Sequence, residues 1–286
     1  YIWVGGMGPF WSEEGNWEVN GRTPEDPPGC GDATNVTVIA NLAGGEIISV
    51  RCQPSTVIDI ATLTSTGGTL RAQDRLLVRG GGTVSNLWLI DLLSTLETDG
   101  EFTMAGDDSR WERGPIEGAG LVVNTGTLTT GPLTRLLRTD LRNDGTFVAD
   151  GTTTISGFGG ATTVIRNNGL IRGEGLIDDQ GLQDAVVNEG TIRADAGTLR
   201  FGTPIFHDGG TLEAADGSTL RVQAGIYVFA AAGIAPDDGG VVLLQATPGA
   251  DPYFVDDTLT LTGLGTVDVR TTVEVTLTGR LDADSS

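Results

Sequence analysis

The sequence predicts an all-β chain: a parallel β-helix solenoid with coils of about 20–24 residues and an aromatic N-terminal cap. Three observations carry this. Two glycine series advance together through the middle of the chain. The runs between them alternate polar and apolar residues, as half-buried strands do. No stretch places apolar residues at i, i+3, i+4 and i+7 over three helical turns, and the nearest candidate, Leu87–Leu96, is short and lacks good caps.

Residues 1–31 read as the cap. Trp3, Phe10, Trp11 and Trp17 crowd together, and Pro24, Pro27 and Pro28 follow. A solenoid end exposes apolar surface and unpaired strand edges, which large aromatic rings can cover.

Residues 32–257 read as the coils. Early echoes are Gly45-Glu-Ile-Ile48, Gly68-Thr-Leu70, Gly82-Thr-Val84 and Gly100-Glu-Phe102. Their spacing is uneven, and Met104–Gly118, with Asp107, Asp108, Arg110, Trp111 and Glu112, reads as an excursion from the coil. The repeat is clearest from Asn124 to Val222. Asn124-Thr-Gly126, Asn143-Asp-Gly145, Asn168-Gly169, Asn188-Glu-Gly190 and the variant His207-Asp-Gly-Gly210 each precede a short β-prone run. The glycines at 126, 145, 169, 190 and 210 step by 19, 24, 21 and 20 residues. A second series at 131, 151, 175, 197 and 217 steps by 20, 24, 22 and 20. Hairpins would need tight loops joining antiparallel strands. A steady advance of one coil length instead returns each strand to the same place one layer on. Asparagines at one position of successive coils could then stack their amides along the axis.

Residues 258–286 alternate strongly and read as final strands, either an end cap or a strand offered to a neighbouring subunit. Val267, Val269, Val273, Val275 and Leu277 form their apolar set. Cys30 and Cys52 lie 22 residues apart. On coils of that length they fall one rung, about 4.8 Å, from each other, within reach of a disulfide. Two reduced, buried thiols are the alternative.

Composition narrows the function. The formal net charge is −21, and all 17 basic residues are arginine. Nucleic acid is an unsuitable partner for such a surface. Without lysine there is no Schiff base, no P-loop lysine and no Lys–Asn cross-link. No apolar run reaches the length of a membrane span. The chain opens at Tyr1 without a basic and then apolar leader, so a signal peptide is expected to be already removed or to lie outside this chain.

The opening Trp3-Val-Gly-Gly-Met-Gly-Pro-Phe-Trp11, then Asn16-Trp17, then Asp32-Ala-Thr-Asn-Val-Thr-Val-Ile39, resembles the start of bacterial surface β-helix proteins of the autotransporter-passenger and haemagglutinin-type adhesin style. The Asn-x-Gly-Thr-Ile coils are similar to theirs. The resemblance covers most of the chain as a style of repeat. It implies a right-handed parallel β-helix on a cell surface. Autotransporters add a membrane-barrel segment, and residues 258–286 do not read as one, so a fragment or the subunit of another assembly is expected.

Little chemistry is legible. His207 is the only histidine, and its place in the repeat, where other coils have Asn, points to a structural turn. Zinc lacks a ligand set. The acidic pairs Asp107-Asp108, Asp178-Asp179, Asp237-Asp238 and Asp256-Asp257 read as solvated turn residues. Ca²⁺ binding and glycoside hydrolysis are their alternatives, and no other cofactor is implied. Trp3, Trp11 and Trp17 are expected inside the cap. Trp111, in the charged excursion, is the exposed candidate for stacking on a sugar, with Asp107 and Asp108 beside it. The expected function is that of a non-enzymatic extracellular structural protein, an adhesin stalk or a head-to-tail filament subunit. Its expected partners are like copies or cell-surface components. The alternative is a carbohydrate-binding or polysaccharide-degrading β-helix.

Overall fold

In the computed structural model, residues 1–5, 10–30, 34–42, 46–51, 57–91, 94–133, 135–156, 162–179, 184–245, 254–255, 258–270, 276–277 and 281–283 are described. The chain divides into two compact units, Tyr1–Asp140 and Leu141–Ser286. Each is a parallel β-solenoid whose coils turn through three strands. Apart from the single 3-10 turn Glu14–Asn16, the described residues hold no helix, and so no helix long and apolar enough to cross a membrane.

In the first unit one side stacks Thr37–Asn41 on the start of Thr62–Ala72, then Gly82–Leu89, Glu101–Met104 and Pro115–Asn124. A second side carries Ile47–Val50, Thr62–Ala72, Gly82–Leu89, Ser109–Trp111 and Thr127–Thr130. A third carries Val57–Ile60, Arg75–Val78, Thr95–Thr98 and the start of Pro115–Asn124. Ile58, Leu76, Leu96 and Ile116 form one buried column inside it.

Leu87–Leu89 ends one strand and Thr95–Leu96 begins another, so these residues are not helical, as expected. One expectation is corrected in this unit. Met104–Gly118 is not an excursion but a regular coil, in register with the coils on either side. Its charges misled because they mark outward positions. Along Ser109-Arg110-Trp111 the side chains alternate in, out, in.

In the second unit the three sides repeat with equal regularity. The first stacks Leu141–Asn143, Val164–Asn167, Ala185–Asn188, Ile205–Asp208, Ile226–Ala230, Phe254–Val255 and Thr276–Leu277. The second aligns Phe147, Ile171, Ile192, Leu212, Ile234 and Leu261 in one column, and its first five members are buried. The third aligns Ile177, Phe201, Val222, Leu244 and Val269. Burying each such side chain contributes roughly 1.5–3 kcal/mol. That contribution exists only because the next coil covers it.

The two glycine series have different physical causes. A Cβ on Gly190 would lie 2.1 Å from the carbonyl oxygen of Gly169, and one on Gly169 would lie 2.1 Å from that of Gly145. The first turn therefore needs glycine so that backbones can stack. Three members of the second series bend through the left-handed region, with φ of 76° at Gly151, 55° at Gly197 and 68° at Gly217, where a side chain is strained.

The aromatic cluster at the N-terminus is present. Trp3, Trp11 and Trp17 are buried. Trp17 meets Trp3 edge-on at 5.0 Å and Trp11 at 4.6 Å between ring centres. The Trp17 indole N–H donates to the Trp11 carbonyl and that of Trp11 to the Pro28 carbonyl, each at 2.7 Å. Phe10 is half-buried, with the Arg51 guanidinium over its ring. Ile2–Trp3 pairs antiparallel with Trp17–Glu18 and parallel with the first full strand, Thr37–Asn41. Cys30 is buried; its expected partner Cys52 lies outside the described residues.

Candidate binding face

A β-solenoid has two kinds of side-chain row. Inward rows build the core and outward rows build a surface.

Asp107, Asp108 and Trp111 do not form one site. Asp107 and Asp108 are exposed, but Trp111 is fully buried, in register with the buried Leu89 and Thr130. Its indole N–H donates to the Gly114 carbonyl at 2.8 Å, and its own carbonyl accepts from Arg135 Nε at 2.6 Å. The outward tryptophan of this region is Trp88. Its indole N–H donates to the Asp108 carbonyl at 2.7 Å, and the Arg110 guanidinium lies 4.6 Å from its ring centre. Arg110 is in turn held by the Asp108 carboxylate at 2.9 Å. This cluster is therefore satisfied by its own members.

His207 lies inside, in a polar row that the sequence partly foretold. Asn143 Nδ2 donates to Asn167 Oδ1 and Asn167 Nδ2 to Asn188 Oδ1, each at 2.7 Å. Asn188 Nδ2 then lies 3.2 Å from His207 Nδ1, and His207 Nε2 lies 3.2 Å from the Gly233 carbonyl. These partners fit a neutral ring that accepts at Nδ1 and donates at Nε2. Burial pushes the His207 pKa below its ordinary value, against the hydrogen bonds to Gly233 and Asn188. The row contains Asn167 and not the expected Asn168. Asn167-Asn168-Gly169 also matches Asn-x-Gly, and only that register points the amide inward. With both ring nitrogens engaged and the side chain fully buried, His207 cannot meet a substrate from solvent.

Among the described residues, no group of three or more His, Cys, Asp or Glu side chains comes together to hold a metal ion. Asp237 binds Arg193 Nη2 at 2.6 Å. Asp256 and Asp257 lie outside the described residues. At the C-terminal strands, Val267 and Val269 stand in register over the buried Val242 and Leu244, yet Val267 is half-buried and Val269 is 54% exposed. Leu277 pairs with Val255; Val273 and Val275 lie outside the described residues.

The surface feature that the sequence did not reveal is an outward row on the first side of the second unit. It runs Arg142, Arg166, Val187, Phe206, Tyr227 in successive coils. The Phe206 and Tyr227 rings stack at 4.9 Å with planes 15° apart. A β-bulge follows Tyr227: Val228 pairs with His207 and Ala230 with Asp208, so Phe229 is inserted between them. A bulge re-aims the side chain it adds. Phe229 accordingly points outward, 48% exposed. Its ring is parallel within 10° to Phe206 and within 7° to Tyr227, at 5.9 and 6.3 Å. The sequence signal was present in Ile226-Tyr-Val-Phe-Ala230, but alternation alone says neither which side faces solvent nor that a residue is inserted.

No protein-family model, curated protein or solved structure matches this chain.

Proposed function

We propose that this chain is a non-enzymatic extracellular structural protein, a surface stalk of stacked coils that carries a lateral contact face. The observation that carries this reading is the bracing between successive coils. Arg79 holds Asp59 and Arg71 holds Asp91 through paired hydrogen bonds, and Arg193 Nη1 holds Glu213 at 2.8 Å; each pair spans 20 residues. Inside, the Asn143–Asn167–Asn188–His207 row ties four coils by side-chain contacts in addition to the backbone ladder. A scaffold that must hold its length under load calls for such coil-to-coil bonds. Surface display also suits the acidic, lysine-free composition and the resemblance to bacterial surface β-helix proteins. In the filament form of this reading, the C-terminal strands of one copy pair with a like copy.

Single-molecule pulling on the purified chain, followed by negative-stain electron microscopy, tests the proposal. Stepwise extension in increments of whole coils is expected, and regular polymers in the micrographs would support the filament form. Release of reducing ends from polysaccharides by the parent protein would overturn it. Deleting residues 266–286 is expected to abolish any polymer; polymer that survives the deletion would remove the filament form.

A further inference from the structure

Three rings with planes within 15° of one another stand on a sheet face, and the most exposed was placed there by an inserted residue. Inserting a large apolar side chain into solvent contributes nothing to the core, and contiguous exposed apolar surface marks interaction sites. The same row carries Arg166 two rungs away, exposed and without an ion pair among the described residues. Its row neighbour Arg142 is tied to Asp144 at 2.8 Å. A free guanidinium on a surface of net charge −21 is complementary to an anion. Aromatic rings favour ligands with flat apolar faces. The C–H face of a pyranose is one, and a uronic acid adds a carboxylate to the same ring.

We propose that Arg166, Phe206, Tyr227 and Phe229 form a binding site for an acidic polysaccharide chain lying along the stacked rungs. Sugars stack on the parallel rings, and a carboxylate two rungs away, about 10 Å along the row, meets Arg166. A 1,4-linked pyranose chain advances by nearly one rung per sugar, so ring and charge are met together without bending the ligand. Asp208, exposed at the end of the Phe206 strand, can accept from sugar hydroxyls. The inference does not depend on the stalk reading, because the four residues all lie within the second unit.

The test is affinity electrophoresis and calorimetry of the full chain with polygalacturonate, alginate and hyaluronate, against methyl-esterified polygalacturonate and polyaspartate. Binding to at least one acidic polysaccharide is expected. Phe229→Ala should weaken it roughly tenfold. Arg166→Gln should remove the preference for the acid over its methyl ester. Both side chains are exposed, and unchanged circular dichroism and melting of each variant will show that the fold persists. Four results would each overturn the proposal: no binding to any of the three acids, equal binding of polyaspartate, binding indifferent to Phe229→Ala, or self-association of the parent that Phe229→Ala abolishes. The last would identify the face as a contact between copies.

Discussion

A single position, His207, shows how an inward row sets residue chemistry. Its imidazole replaces an amide without breaking the row, because Nδ1 can accept where an Asn oxygen would. Burial lowers its pKa in the folded state. The unfolded chain therefore binds a proton more readily, and the stability linked to this group is complete above pH about 6.5 and declines as pH falls below it. His207→Asn is expected to remove that acid-side decline, seen as a flatter dependence of urea midpoint on pH between about 4 and 7. His207→Ala removes the ring partner of one Asn188 N–H, while the amide keeps its bonds to Gly190 and Asn167, and opens a cavity; it should cost about 3 kcal/mol. Asn167 offers a sharper contrast. It donates to Asn188 Oδ1 and to the Thr191 carbonyl at 3.0 Å. Asn167→Asp removes both donors and buries a charge, so a loss of about 3 kcal/mol or more is expected, shrinking relative to the parent as acid protonates the carboxyl. At Cys30, the 22-residue spacing to Cys52 predicts a non-reduced intact mass about 2 Da below the reduced one.

At the scale of the strand, the coils are joined by outward ion pairs as well as by backbone. Arg193 is the densest knot: Asp195 at 3.0 Å on its own strand, Glu213 at 2.8 Å one coil on and Asp237 at 2.6 Å two coils on. Hydrogen bonds to Glu213 and then Asp237 hold its pKa above the ordinary arginine value. Arg193→Gln leaves three carboxylates facing one another. A loss of about 1 kcal/mol at low salt is expected, fading with added salt as repulsion is screened; chemical denaturation at two ionic strengths measures it. Strand existence was legible from glycine spacing and alternation, but facing was not. Trp111 and Trp88 have much the same composition around them, and only register places one inside and the other out. The Phe229 bulge was illegible for a related reason. One inserted residue flips the parity of everything after it, and a sequence without a fixed partner strand has no origin from which to count parity.

For the whole molecule, the net charge of −21 opposes compaction at long range, while the braces act at contact distance. Added salt should weaken the first more than the second. The melting temperature is expected to rise by roughly several degrees from low to moderate ionic strength; a fall on adding sodium chloride would show that the contact pairs dominate. The sequence disclosed the fold class because a solenoid states its architecture many times over. It disclosed little of the aromatic face, which occurs once among the described residues.

The repetition of Asn-x-Gly has a last consequence. Excising residues 168–188 would join Asn167 to Glu189 and leave Asn-Glu-Gly at the junction, with Asn167 set to meet His207. Every inward row would close over a gap of one layer. Length in such a molecule is thus a quantised variable. It can be dialled up or down by unequal recombination, coil by coil, while the cap and the three stacked rings are inherited unaltered. Selection can then adjust reach without redesigning contact.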